Sequence, residues 1–241
     1  DIGSDETWTC SVTPDDGEDM GDSAEDTIST ARCLSSVPCP FATGTYSTAE
    51  DWVGIEHCSS IPGSVHFNDR TETDLPNNCL EAVGGDVEIV DSGSVENLDQ
   101  LSRLRTVGGH LLIWNNDSLT TLQLDELTAV GGFLDIDNND AISSFELNTL
   151  ETVGAYVDVD MNSTLTNFSM ADLRSVGGDF IMRENAVLTT FSMDSLTSIT
   201  GELWITLNFD LCSTVVNALR ARLSASGSTG SYDVEHTDAG C

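Results

Sequence analysis

The chain has 241 residues, with 41 Asp and Glu against 8 basic residues, and its formal charge is −33. Every basic residue is arginine. Such an excess repels the phosphates of nucleic acids and of anionic membranes, and no apolar run reaches the length of a membrane span, so neither nucleic acid nor a direct membrane span enters the reading. It calls instead for screening by salt or divalent cations.

The first 30 residues hold ten acidic residues and no basic one. That composition buries too little apolar surface to order alone. It needs disulfides, docking onto its own chain, or docking onto another copy, with Trp8, Ile28 and Phe41 as apolar anchors. Ser23-Ala24-Glu25-Asp26 has the pattern of a capping box before a short helix ending near Ser35, and Ser47-Thr48-Ala49-Glu50 repeats it. We read residues 1–57 as an acidic N-terminal cap carrying Cys10, Cys33 and Cys39, whose pairing the spacing leaves open. The chain starts at Asp1 without a leader, which reads as a mature product.

From Ile61 onward a repeat takes over. A Val-Gly-Gly-like step recurs at Val83, Val107, Val130, Val153, Val176 and Ile199, at a spacing of 24 and then 23 residues, with a degenerate copy at Ile61. Four residues after the step stand Leu111, Leu134, Val157, Phe180 and Leu203; six after stand Ile113, Ile136, Val159, Met182 and Ile205. This alternation is a strand with one buried face. Nine after come Asn116, Asn139, Asn162, Asn185 and Asn208, and Leu127, Leu150, Leu173, Leu196 and Leu219 close each coil. One coil cannot bury these residues alone, but stacked coils bury them as ladders. The expected fold is therefore mainly β: a β-solenoid of six to seven 23-residue coils with short capping helices. The glycines admit the corner, where a side chain would clash or φ would be positive. The asparagines form an amide ladder within a turn. Near the end, Val215, Val216, Leu219 and Leu223 share one helical face, so a helix over about 213–225, capped by Ser213 and stopped by Gly227, covers the last coil.

With these residues in place the chain resembles the receptor L domain, the solenoid of insulin-receptor and epidermal-growth-factor-receptor ectodomains. Asn77-Asn78-Cys79-Leu80-Glu81-Ala82-Val83-Gly84-Gly85-Asp86-Val87-Glu88-Ile89 is similar to that family's first full coil, and Val107-Gly108-Gly109-His110-Leu111-Leu112-Ile113 to its repeat. The resemblance runs over residues 58–241. It implies right-handed coils, an extracellular or cell-surface location, and the disulfides Cys58–Cys79 and Cys212–Cys241. The spacing of Cys58 and Cys79 ahead of their steps agrees with the first pair. With seven cysteines, one thiol is left over or pairs between chains. The chain departs from the receptors in lacking their Cys-rich module, kinase and membrane span; its more regular, acidic repeat is closer to microbial surface proteins of this fold.

Three groups are candidate sites. Residues three, five and seven after the step point outward, and among them His110, Trp114, Phe133, Tyr156, Arg183 and Trp204 make a candidate binding face for a sugar, a peptide or another surface protein. Asp135, Asp137, Asp158 and Asp160 form a two-by-two carboxylate grid. Like charges across a ladder destabilise it, and Ca²⁺ would relieve that, although no EF-hand-type loop is present. As a catalytic pair the grid would act on glycosides, but a flat exposed sheet offers no cleft to raise one pKa. The sequons at Asn116 and Asn162 fall on the Asn ladder, which leaves Asn167 as the candidate glycosylation site. Taken together, the sequence points to a non-enzymatic extracellular structural or binding module that needs no cofactor. Its partners are other copies of itself, joined through the N-terminal segment onto the degenerate front coil into a filament, oligomer or surface layer, or another surface protein or glycan.

Overall fold

The computed structural model describes residues 37–39, 44–47, 55, 57–75, 78–227 and 232–235. The chain winds into a β-solenoid of stacked parallel strands. Each full coil starts with a two-residue strand at the step, such as Thr106–Val107 or Thr152–Val153, and these build an eight-stranded corner sheet. The four-residue strands that follow, among them Val87–Val90, Leu111–Trp114, Leu134–Asp137, Val157–Asp160, Phe180–Arg183 and Leu203–Thr206, build a nine-stranded broad sheet. A third, three-stranded sheet is made by Ser144–Glu146, Asn167–Ser169 and Thr190–Ser192.

The interior is the expected set of ladders. The residues four and six after each step, and the closing leucines, are all 0–1 % exposed. Full burial of a side chain of this size contributes roughly 1.5–3 kcal/mol, and here each one is buried by the coils on either side of its own. The periodicity reading omitted two inward columns. Phe145, Phe168 and Phe191 stack with ring centroids 5.1 and 5.7 Å apart, and Leu124, Leu147, Met170 and Met193 run beside them at 0–1 % exposure. They give the short sheet its buried face.

The Asn column is complete. Asn116, Asn139, Asn162, Asn185 and Asn208 are all fully buried. In the central coil, Asn162 Oδ1 accepts the Asn139 N–H at 3.0 Å, while its Nδ2 donates to Ile136 O at 2.9 Å and Asp160 O at 2.8 Å. Asn139, Asn185 and Asn208 place Nδ2 in the same way between two carbonyls. Ser92 begins the column: its N–H donates to Asn116 Oδ1 and its Oγ to Phe67 O.

The glycines of the step serve close approach and not positive φ. A Cβ on Gly154 would lie 2.0 Å from Gly131 O, and on Gly131 2.2 Å from Gly108 O. The second position is looser only around Ala155, which occupies it: a Cβ on Gly178 in the next coil would lie 3.1 Å from the nearest atom, whereas one on Gly109 would lie 2.0 Å from Asp86 Oδ1 and one on Gly132 2.1 Å from His110 Nδ1. The left-handed backbone sits instead just before the Asn column, at Asp91, Asn115, Asn138, Met161, Glu184 and Leu207, with φ between 49° and 60°.

The two ends depart from expectation. Strands at Val37–Pro38 and Thr45–Tyr46 pair with Cys58–Ile61 and Ser64–His66, so the sheets begin ahead of residue 58. Pro38 aligns with Ser60, and the Cys39 N–H donates to Ser60 O at 2.8 Å. This seats Cys39 against Cys58, and the two form a disulfide with Cα atoms 5.6 Å apart. The expected Cys58–Cys79 pair is thereby corrected. The competing partner belongs to a strand without the Val-Gly-Gly step, which the repeat pattern could not reveal. The front coil that was expected to await another copy is completed by the chain's own strands. Cys79 and Cys212 are also disulfide-bonded; Cys241, and with it the Cys212–Cys241 expectation, lies outside the described residues. So do residues 1–36, 40–43 and 48–54, with the expected front helix, most of the second capping signal, the anchors Trp8, Ile28 and Phe41, and the self-contacts.

At the other end the helix spans Ser213–Ala225 and buries Val216, Leu219 and Leu223. Cys212, not Ser213, is its N-cap, without a side-chain cap hydrogen bond, and Gly227 follows its C-terminus at φ 82°. A strand at Tyr232–Glu235 then pairs in parallel with Leu203–Thr206 and closes the broad sheet.

Candidate binding face

The outward face of the broad sheet is built from three rows that run across the coils. Leu112, Asp135, Asp158, Ile181 and Trp204 are cross-strand neighbours in one row, and Trp114, Asp137, Asp160, Arg183 and Thr206 in the next. The row before them holds His110, Phe133 and Tyr156. The one-residue-per-coil symmetry of a parallel ladder places these side chains directly above one another.

That symmetry decides what the aromatics do. His110 stacks on Phe133 at 3.8 Å and 13°, and Phe133 on Tyr156 at 4.7 Å and 9°. Their ring faces are turned to each other along the solenoid, so Phe133, between the other two, offers a ligand only its edge. His110 also accepts the Phe133 N–H on Nδ1 at 3.1 Å. This part of the expected face is cross-strand packing. Trp114 is 38 % exposed, and Trp204 lies between Ile181 and the strand of Tyr232–Glu235.

The four aspartates come together as the sequence suggested, but not as a solvated patch. Asp135 faces Asp158 and Asp137 faces Asp160 in register. Asp160 is 2 % exposed, and the other three are half-buried. Burial pushes the Asp135 and Asp137 carboxyls up to about 6 and that of Asp158 up to about 7, with the neighbouring carboxylates adding to the rise. Asp160 is raised as well, again mainly by burial; Arg183 opposes the shift. Arg183 Nη2 donates to Asp160 Oδ2 at 2.7 Å, and the Met161 N–H donates to Asp160 Oδ1. The remaining three each have one buried oxygen, Oδ1, without a hydrogen-bond partner. The expectation that a flat sheet cannot raise a carboxyl pKa is therefore corrected. Stacking four like charges half out of water, with one arginine among them, does what a cleft would do.

The geometry also bears on cations. Among the described residues the one set of three ligating side chains with donor atoms within 4.8 Å of one another is Cys39, His57 and Cys58, where both sulfurs are committed to the disulfide. The grid thus gathers no such trio of oxygens, and Ca²⁺ would find no preformed cage in it.

Elsewhere, Asn116 and Asn162 are fully buried, which seals their sequons, while Asn167 is exposed on its strand. Sequence reasoning missed a groove of about 320 Å³ between the short sheet and the helix, lined by Phe191, Met193, Asp194, Thr214, Val215, Ala218 and Arg222. The Phe column was the signal that could have found it. Among the described residues no helix is long and apolar enough to cross a membrane. Comparison of the chain with protein-family models, with curated proteins and with solved structures finds no match.

Proposed function

We propose that the protein is a non-enzymatic extracellular structural and binding module that presents the outward face of its broad sheet to a ligand. The observation that carries this is the set of half-buried carboxyls Asp135, Asp137 and Asp158 in the middle of a face that also carries Leu112, Trp114, Ile181, Arg183 and Trp204. Half-buried carboxyls that hold a proton close to neutrality both donate and accept, which suits the hydroxyls of a glycan or the backbone of a peptide. The Cys39–Cys58 disulfide fits an oxidising compartment, and the likeness of the repeat to receptor L domains supports a surface location. A rigid stack of coils keeps such a face in one geometry, so little ordering cost falls on binding.

Screening of the protein against glycan and peptide arrays at pH 5.5 and pH 8 tests the reading. Ligands should be retained at pH 5.5, weaken at pH 8, and be lost in an Asp135→Ala/Asp158→Ala variant that remains folded by circular dichroism. Binding that the variant keeps in full would place the recognition surface elsewhere.

A further inference from the structure

The C-terminal end of the short sheet differs from that of the broad sheet. The broad sheet is closed by the strand Tyr232–Glu235, whereas among the described residues no strand follows Thr190–Ser192. The chain keeps step with the coil below as far as Cys212, whose N–H donates to Thr189 O at 3.3 Å. It then turns into the helix. The hydrogen-bond ladder stops with it. The Leu147 N–H donates to Ser169 O and the Met170 N–H to Ser192 O, each at 2.8 Å. The next donor in that series is the Met193 N–H, and among the described residues no further strand supplies its carbonyl. Met193 is 1 % exposed and lines the groove.

We propose that this groove accepts an extended, cationic peptide segment of a partner protein as a fourth parallel strand beside Thr190–Ser192. Three features fix that occupant. An edge strand with an unanswered N–H calls for backbone in the extended conformation. The floor of Phe191, Met193, Val215 and Ala218 takes one large apolar side chain of the incoming strand. The charge favours a basic segment through the protein's overall −33; at the groove's rim the Asp194 carboxylate is 81 % exposed and pairs at 3.5 Å with Arg222, whose Nη1 also donates to Asp194 O at 2.9 Å. A peptide arginine can join or replace Arg222 there. The proposal does not depend on the broad-sheet reading, because the two surfaces share no residue.

The test uses the whole chain labelled with ¹⁵N and a capped five-residue peptide of alternating arginine and serine around a central phenylalanine. The expected result is saturable binding with shift and exchange protection at the Met193 amide. Methylating the backbone nitrogen of the peptide's central phenylalanine, at unchanged charge and side chain, should weaken binding by roughly tenfold or more, because the strand loses a pairing donor as it would at a proline. Ala218→Arg, on an exposed helix position, should block the groove to a similar extent without touching the core. Absence of saturation, binding that both changes leave intact, or protection of Met193 that grows with protein concentration in the absence of peptide would each overturn the proposal. The last would make the groove a contact between copies.

Discussion

Two polar arrays lie side by side on the same coils and experience the same stacking, yet they end in opposite states. The Asn column is fully buried, and its amides are satisfied from Asn139 to Asn208. The Asp grid is less buried and leaves three oxygens without partners. The difference lies in the side chains and not in the fold. A carboxamide is both donor and acceptor, so a copy of itself one coil away is a suitable partner. A carboxylate is acceptor only, so its own copy is the worst neighbour it can have unless a proton is shared. In-register stacking therefore rewards self-complementary groups and frustrates like charges.

Breaking the satisfied array should cost most. Asn162→Ala would orphan the Asn139 N–H and the carbonyls of Ile136 and Asp160, a loss on the order of 3–5 kcal/mol. Urea denaturation should show it as a large drop in midpoint; a drop no greater than that of an exposed Asn167→Ala control would deny the column its structural role.

The closeness of the coils is the next point of attack. Gly154→Ala puts a methyl 2.0 Å from a backbone oxygen, and about 3 kcal/mol should be lost as the coils separate. Gly178→Ala is the control, because its Cβ would be 3.1 Å from the nearest atom and Ala155 already occupies the equivalent site. Thr200 stands in the first-glycine column, but in the last coil of the corner sheet, where among the described residues no further strand follows Ser198–Ile199. Equal stability of the two alanine variants would refute the clash argument.

Relieving the frustrated array should stabilise. Carboxyls whose folded pKa is raised bind protons that the unfolded chain has already released. Stability is then full below the ordinary aspartate range and falls as the pH rises through about 6 to 7. Asp158→Asn removes one charge from the grid, and at pH 8 we expect a gain of about 1–2 kcal/mol, allowing for partial exposure, that disappears near pH 3.5. A gain that is the same at both pH values would mean that the charge is not the cause.

The smallest effect concerns the left-handed turn. Met161 holds φ 49° and is 42 % exposed, and methionine is strained there where asparagine is not. Met161→Asn should add roughly 0.5–1 kcal/mol, partly by extending the bond from Asn138 Nδ2 to Asn115 Oδ1. A thermal midpoint that falls would show that the position is not strained.

The residues legible in the sequence were those whose role repeats without exception. Val107, Ile113, Asn116 and Leu127 recur in every later coil, and each sits where its register put it. What escaped has a physical reason in each case. Val37–Pro38 and Thr45–Tyr46 are two-residue strands and carry no motif. Cys58 therefore looked toward Cys79 when its neighbour was Cys39. The Phe145–Phe168–Phe191 column covers only three coils, too few to stand out from the alternation. The grid's positions could be read from spacing, but its chemistry could not, because the pKa of a carboxyl depends on how far water is excluded from it. His110, Phe133 and Tyr156 were correctly placed in one row. Their stacking on each other, which limits their use as a platform, follows from ring orientation, and spacing does not carry that.

The central claim is that one stacking symmetry satisfies the amides and frustrates the carboxyls. Site-resolved carboxyl ¹³C NMR titration of the aspartates tests it most directly. The account predicts midpoints of about 6 for Asp135 and Asp137 and about 7 for Asp158, with Asp160 also above the ordinary range. Four midpoints at the ordinary aspartate value would contradict it.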